Sequence, residues 1–501
     1  MLIRNVALFT SAAVLSTLPL AAHADDSLTI YNQDFAVVRE TVPLNLTAGV
    51  NHVTFNDITY HVEPDSVILR DPAGKRTLNI LEQNYRADPV SQDLMLSQFE
   101  GQTIDFQVTH GDKTEIIQGK IVRSGYITPN SDNSRNYRRY YEPQPPEDPS
   151  HKPIIEVDGK MQFGLPGTPL FPSLPNDSIF KPTLDWNIQS DQAGPLDAEL
   201  GYITDGMNWT AAYNVIAPLT GEYVDLVGWV TIDNETGRTF SNATIKLMAG
   251  DFNKLRSQLT SYAATSISND AGYGGQPQTS EKSFENAHLY TINHPTTLRD
   301  RETKQVEFMT VSHVHSRLVY VYDPMSMVLD GDDLRDDQVH LEPGFGEATS
   351  PKVLTMREIV NSEANHLGIP LPKGRMRFYR QDTDGQLQFT GENDIDHTAK
   401  DETIRIYTGN AFDLTGERKE ADYNVDIHGH KAQESFAITL RNHKKTTATV
   451  QVVEHFYRTA NWKITKSTAP YTKKDARTIE FTVDVPPGAT KEVDYTAHYA
   501  W

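Results

Sequence analysis

Two histidine pairs, His313-Val314-His315 and His428-Gly429-His430, are the first places where side chains of one type recur at ligand spacing. Residues two apart on a strand share a face, so His313 and His315 present both imidazoles to one side, and the second pair does so across a turn. Zinc takes about four protein ligands in a structural site and about three in a catalytic one. Neither pair has a third histidine or a glutamate nearby in a recognisable pattern, so no metal site and no cofactor are expected. The acidic stretch from Asp323 to Asp337 and the turn Asp382-Thr383-Asp384-Gly385 offer oxygens to calcium. A calcium loop adds ligands at fixed later positions and ends on a glutamate, which are missing here, and Asp-Gly reads as a hairpin turn. The Gly-x-Ser-x-Gly, Ser-x-x-Lys and histidine-metal protease patterns are absent in any usable context, as is a phosphate loop. No catalytic residue is assigned.

The best polar cluster is Asp394, Asp396 and His397. It reads either as acid/base or ligand-contact chemistry or, preferably, as a turn held by the aspartates' own hydrogen bonds. Paired carboxylates of a glycoside hydrolase are the enzymatic alternative, because only their separation in space selects such a pair. Trp186, Trp209, Tyr213 and Trp229 offer flat rings to the apolar faces of sugars, against the commoner role of large strand aromatics as core. Trp186, in a proline-rich passage, is expected to be the exposed one. The ligand-binding candidates are therefore Trp186, Trp209, Tyr213, Asp394, Asp396 and His397.

Short strands must position these groups. Leu28-Thr29-Ile30-Tyr31, Phe35-Ala36-Val37-Val38, His52-Val53-Thr54-Phe55, Ser66-Val67-Ile68-Leu69 and Glu115 to Val122 alternate or run apolar between turn residues. Period two with such punctuation reads as antiparallel strands. From Pro129 to Pro153 six prolines and the cluster Arg135-Asn136-Tyr137-Arg138-Arg139-Tyr140-Tyr141 interrupt the pattern. Proline removes donors and fixes φ, so this reads as linker, and residues 164–186 read as an extended segment lying on a surface. Strand signals return from Glu199, with Tyr223 to Ile232 and Glu434 to Leu440 among them and a hairpin turn at Asp233-Asn234-Glu235-Thr236-Gly237, pause over a Ser/Asn/Gly-rich loop at 254–286, and run to Tyr499. No helix longer than about three turns is expected, because no sustained 3.6-residue period appears. The reading is an all-β chain of two or more β-sandwich-like domains with long proline-rich and Gly/Ser-rich loops. Its partition is 1–24, an N-terminal β domain at 25–128, linker and extended segment at 129–194, a β domain at 195–400 and a C-terminal β-sandwich at 401–501.

The first 24 residues carry one positive charge at Arg4, an apolar stretch from Val6 to Ala22, and then Ala22-His23-Ala24 before Asp25-Asp26. Small residues three and one positions before a cut suit a signal peptidase, so cleavage after Ala24 and a periplasmic or secreted location are expected. The stretch is too short and too interrupted for a membrane anchor, and no later segment approaches a span. The chain has no cysteine, so neither a lipid-bearing cysteine nor a disulfide is available. The remaining 477 residues (501 − 24) are enough for several cores held by packing alone. Removing Arg4 takes the net charge from −21 to −22, which disfavours nucleic acid and anionic lipid at long range.

Several separated runs resemble one family. They are Gly201-Tyr202-Ile203-Thr204-Asp205-Gly206-Met207-Asn208-Trp209-Thr210-Ala211-Ala212-Tyr213, Asn234-Glu235-Thr236-Gly237 with Ala243 to Gly250, Leu371-Pro372-Lys373-Gly374-Arg375-Met376-Arg377-Phe378-Tyr379, Gly391-Glu392-Asn393-Asp394-Ile395-Asp396-His397-Thr398 and Gly409-Asn410-Ala411-Phe412-Asp413. In that order they resemble the bacterial exported proteins carrying domain of unknown function 4139, over roughly residues 195–501. The resemblance implies a β-rich exported protein and no particular reaction. The expectation is a non-catalytic periplasmic binding or scaffold protein that meets a cell-envelope component or a protein partner, without nucleic acid and without membrane insertion. The alternative is an envelope polysaccharide hydrolase.

Overall fold

Alternation in the sequence becomes alternation of burial. In the strand Phe35–Leu46 the side chains of Val38, Glu40, Val42, Leu44 and Leu46 turn inward while those between them face outward or lie half-buried, the two-residue period of a pleated strand. A computed structural model describes residues 26–111, 113–126, 152–174, 178–250, 252, 254, 279–284, 287–325 and 349–501. The stretch expected to be an export signal, the Arg135–Tyr141 cluster, the Gly272–Gly275 run and the acidic stretch Asp330–Asp337 lie outside the described residues. Within those described the chain is all-β. The α-helix Gln92–Gln98 is short, capped by Ser91, whose hydroxyl accepts from the Leu94 amide. No helix among the described residues is long and apolar enough to cross a membrane.

The strands form four sheets. The first, of eight strands, sets Ser27–Tyr31 parallel to Phe240–Ala249, with Leu28 opposite Ile245, and Phe35–Leu46 antiparallel to Gly194–Asp205, with Val38 opposite Tyr202. Strands from both sides of the proline-rich passage thus share one ladder. Hydrogen bonding crosses the sequence positions 128 and 194. A three-stranded sheet places Thr183–Ser190 between Gly49–Phe55 and Leu78–Arg86. A five-stranded sheet is built around Lys113–Arg123, and a thirteen-stranded one runs from Leu387–Ile395 through Met207–Ala217, Glu302–Tyr322 and Thr490–Ala500 to Trp462–Ser467.

The end of the segment expected to lie on a surface enters a central strand instead. In Thr183–Ser190, Leu184, Trp186 and Ile188 point inward and Asp185, Asn187 and Gln189 do not. Its prolines stand before the strand, Pro182 being the last, so none removes a ladder donor. Ile154–Val157, Lys160–Phe163 and Thr168–Leu170 likewise form strands inside the range read as linker and extended segment.

Buried apolar side chains gather in three clusters. The largest joins the first sheet, the three-stranded sheet and the first part of the large sheet. A second surrounds Phe436, Phe456, Phe481 and Tyr495, and a small third lies under the helix, around Leu96, Phe106 and Ile121. Close approach has dictated residue type where Met207–Ala217 and Gly374–Gln381 pair in parallel. A Cβ on Gly374 would sit 2.1 Å from the Ala211 carbonyl oxygen, so only glycine fits.

Candidate functional site

The turn after the strand Tyr223–Asn234 builds one wall of a polar pocket. Asn234 is buried, and its Nδ2 donates to the carbonyls of Arg238 at 2.9 Å and Arg299 at 3.0 Å. Its Oδ1 accepts from the Thr236 amide at 3.2 Å and hydroxyl at 2.8 Å. Gly237 follows with φ +79°, and a Cβ there would fall 1.8 Å from the Tyr60 ring. The glycine therefore serves both the left-handed backbone and the seating of Tyr60 on the turn. Tyr60 is tied down by its own amide, which donates to Thr236 O at 2.9 Å.

This turn aims Arg238 inward. Its Nη1 and Nη2 each donate to one oxygen of Glu40 at 2.7 Å, a bidentate pair in which both side chains are buried. Nη1 also donates to the Tyr202 hydroxyl at 3.0 Å; Nη2 lies 3.6 Å from Asp26, and Nε lies 3.2 Å from Asp57. Burial opposes the charge on Arg238, but the Glu40 hydrogen bond and the charges of Glu40 and Asp26 hold its pKa above the ordinary value. Burial, with Glu40 beside it, pushes the Tyr202 hydroxyl well up, so it is protonated at neutral pH.

Above this floor is a pocket of about 260 Å³ lined by Asp57, Tyr60, Lys181, Pro182, Arg238, Thr239 and Asp300, among others. Lys181 donates to Asp57 at 2.7 Å, and Asp300 accepts from the Gly237 amide at 2.9 Å. One aromatic ring of the wall, Tyr60, is 40% exposed and faces solvent here. The site offers donors and acceptors of both charges together with one flat apolar face, that of Tyr60.

A second polar cluster lies in the C-terminal core. Arg418 donates from Nε to Glu454 at 2.9 Å and stacks 3.6 Å over the Phe436 ring, while Tyr495 donates to the same carboxylate. Arg458 pairs with Glu434 beside it. The cavity among them, about 10 Å³, has room for no more than a water. At its edge His455 Nε2 lies 3.1 Å from Asp323 Oδ2. That hydrogen bond raises the His455 pKa above its ordinary 6.5, against burial, which lowers it. A raised folded value means the stabilisation is complete below the unfolded value and is lost as pH rises through the folded one. The wild-type urea midpoint is therefore expected to fall between about pH 6 and pH 8 relative to His455→Gln. Parallel profiles for the two proteins would contradict this.

The residues singled out by sequence fall elsewhere. Trp186, expected to be exposed, is buried against Phe55, with its Nε1 donating to Gln83 Oε1 at 2.8 Å. Trp209 and Tyr213 are buried too, so none of the three presents a ring to a sugar; Trp229 is half-buried. Trp209 Nε1 donates to Met248 O at 3.2 Å, and the Tyr213 hydroxyl donates to Pro372 O at 2.6 Å. The next residue, Lys373, donates its amide to His397 Nδ1 at 3.2 Å. Tyr213 and His397 thus meet on one short segment, Tyr213 from the core and His397 from the turn.

Asp394, three-quarters exposed, lies 3.6 Å from Arg375, and Asp396 accepts from the His397 amide at 2.8 Å, which is turn geometry. Trp186 belongs to a different sheet. Asp382 and Asp384 accept amides within their hairpin turn, at 2.6 Å from Thr383 and 2.9 Å from Gln386. His313 and His315 flank the Tyr223 ring, and His315 pairs with Glu222 at 3.2 Å. Among the described residues no three His, Asp or Glu converge as a metal site would require.

The molecule is a multi-sheet β protein whose polar sites are built on inward-facing arginines. Residues 198–501 match the model of the Domain of unknown function (DUF4139), and the chain belongs to that family. No curated protein and no solved structure matches it. Arg238 lies inside the matched region, while Asp26, Glu40, Asp57, Tyr60 and Lys181 precede it. The pocket is thus assembled by the family domain and the strands before it. Sequence reasoning read Asn234 to Gly237 as a turn and passed over Arg238 and its partners, whose signal was Glu40 standing at an inward position of an apolar strand.

Proposed function

We propose that the chain is an exported, non-catalytic binding protein of the cell envelope, and that its Arg238 pocket takes a sugar unit of an envelope polysaccharide. The export reading rests on the Val6–Ala22 stretch and the Ala22-His23-Ala24 boundary. The observation that carries the binding reading is the exposed Tyr60 ring, seated on Gly237 beside Lys181, Asp57, Asp300 and Arg238 around 260 Å³. A pyranose has an apolar face that an aromatic ring covers and a rim of hydroxyls that charged side chains hydrogen-bond. Such a volume suits one sugar ring rather than a larger ligand, for which pockets run from about 300 Å³ upward.

Calorimetric titration with purified envelope polysaccharides tests this. Tyr60→Ala is expected to weaken binding about tenfold or more, the worth of one lost ring contact. An affinity unchanged in that variant would refute the assignment. Release of new reducing ends by the wild type, lost on replacing Asp394 and Asp396 by Asn, would favour the hydrolase instead.

A further inference from the structure

Four arginines are buried among the described residues: Arg238, Arg357, Arg418 and Arg458. Three of them face a buried glutamate. Arg357 does not. It stands in the strand Lys352–Val360, 7% exposed, and its Nη1 donates to Ser316 O at 3.0 Å. Glu358, next along the strand, points to the opposite face and is taken by Arg317 and Arg405. Arg380, in the strand Gly374–Gln381, is in the same condition: its Nη1 donates to Leu219 O at 3.1 Å. Among the described residues neither guanidinium has a carboxylate in ion-pair contact.

The two converge on one bend of the chain, at 218–222. Arg380 holds it at Leu219; at its other end the Ser316 amide donates to Glu222 O at 2.6 Å, and Ser316 is the residue whose carbonyl Arg357 holds. Glu222, the acid on the bend, is more than half exposed and turned to His315 at 3.2 Å. The Ser316 hydroxyl is buried with no hydrogen-bond partner among the described residues. Burial, then the charge of Arg380, push the Arg357 pKa down, and the charge of Glu222 offsets only part of this. Two cations and an unused hydroxyl are thus gathered with no carboxylate bonded to them and only the exposed Glu222 acting on Arg357 from a distance, in a chain of net charge −21. Such an arrangement is unfavourable by itself and becomes favourable once an oxyanion accepts the free guanidinium donors.

We infer that Arg357, Arg380 and Ser316 form a binding site for a phosphoryl oxyanion. The planar donor forks of the two arginines match phosphate oxygens, and the serine adds a short neutral hydrogen bond. The site shares no residue with the Arg238 pocket, so the two assignments stand or fall separately.

Inorganic phosphate titrated into the full chain tests this, with potassium chloride at equal ionic strength as control, read by calorimetry and thermal unfolding. Saturable binding and a rise in Tm that chloride does not give are expected. Affinity should fall about tenfold or more in Arg380→Gln, a half-buried position that leaves the core intact, and in Arg357→Gln. An absence of saturable binding, an equal rise with chloride, or wild-type affinity in Arg380→Gln would overturn the inference. Two further probes separate sources of the same chemistry. Competition by glycerol phosphate assigns the site to a soluble phosphoester, whereas capture on phosphatidylglycerol vesicles that Arg380→Gln abolishes assigns it to a lipid headgroup.

Discussion

Arg238→Ala is expected to lower folding stability by about 3–5 kcal/mol, the usual cost of leaving a buried charge without its partner. Glu40 is 8% exposed and accepts two bonds at 2.7 Å from Arg238. With the guanidinium gone, its carboxylate keeps the burial that already pushes its pKa up and loses the hydrogen bond that pulls it back. Urea unfolding at neutral pH measures the loss. Lowering the pH should recover part of it in the variant, because protonating Glu40 removes the buried charge. The double variant Arg238→Met with Glu40→Leu should regain most of the stability, since apolar replacement of a buried pair is often neutral or better. A single-variant loss below about 1 kcal/mol, the range of an exposed pair, would show that water reaches Glu40 and that the pocket floor is open.

The fold was legible where one face of a strand is apolar and the other polar. Phe35 to Val38, Tyr223 to Ile232 and Glu434 to Leu440 lie in strands as read, because burial on one face imposes a two-residue period that composition alone reveals. The passage around Trp186 was misread because prolines nearby were allowed to outweigh the alternation of Leu184, Trp186 and Ile188. Strand partners were not legible: that Ser27–Tyr31 would lie beside Phe240–Ala249 depends on packing between segments far apart in the chain. The pocket was half legible. Asn234 to Gly237 announced a turn, but the function of that turn is to aim Arg238, and its partner Glu40 is nearly two hundred residues away. One local signal did exist. Glu40 stands among Val38, Val42 and Leu44, Glu434 between Ala432 and Phe436, and Glu454 after Val450 and Val452, each on the inward side of its strand. A charge at such a position announces a buried partner without naming it.

The same reasoning makes Glu454→Ala the other large perturbation, about 3–5 kcal/mol, because the buried Arg418 would lose the carboxylate that its Nε bonds. Tyr495, itself buried, would lose the acceptor of its hydroxyl at the same time. Where this loss is felt is as informative as its size. Val450, Val452, Tyr495 and Phe481 belong to one apolar cluster and Val38, Trp186 and Trp209 to another, although Glu302–Tyr322 and Thr403–Asp426 run through both. Side-chain packing, more than the shared ladders, sets the unit that opens together. Hydrogen exchange of Glu454→Ala should therefore show protection lost first in Ala448–His455 and Thr490–Ala500 while Phe35–Leu46 keeps its own. Uniform loss across all three strands would mean that the long strands bind the two clusters into one cooperative body.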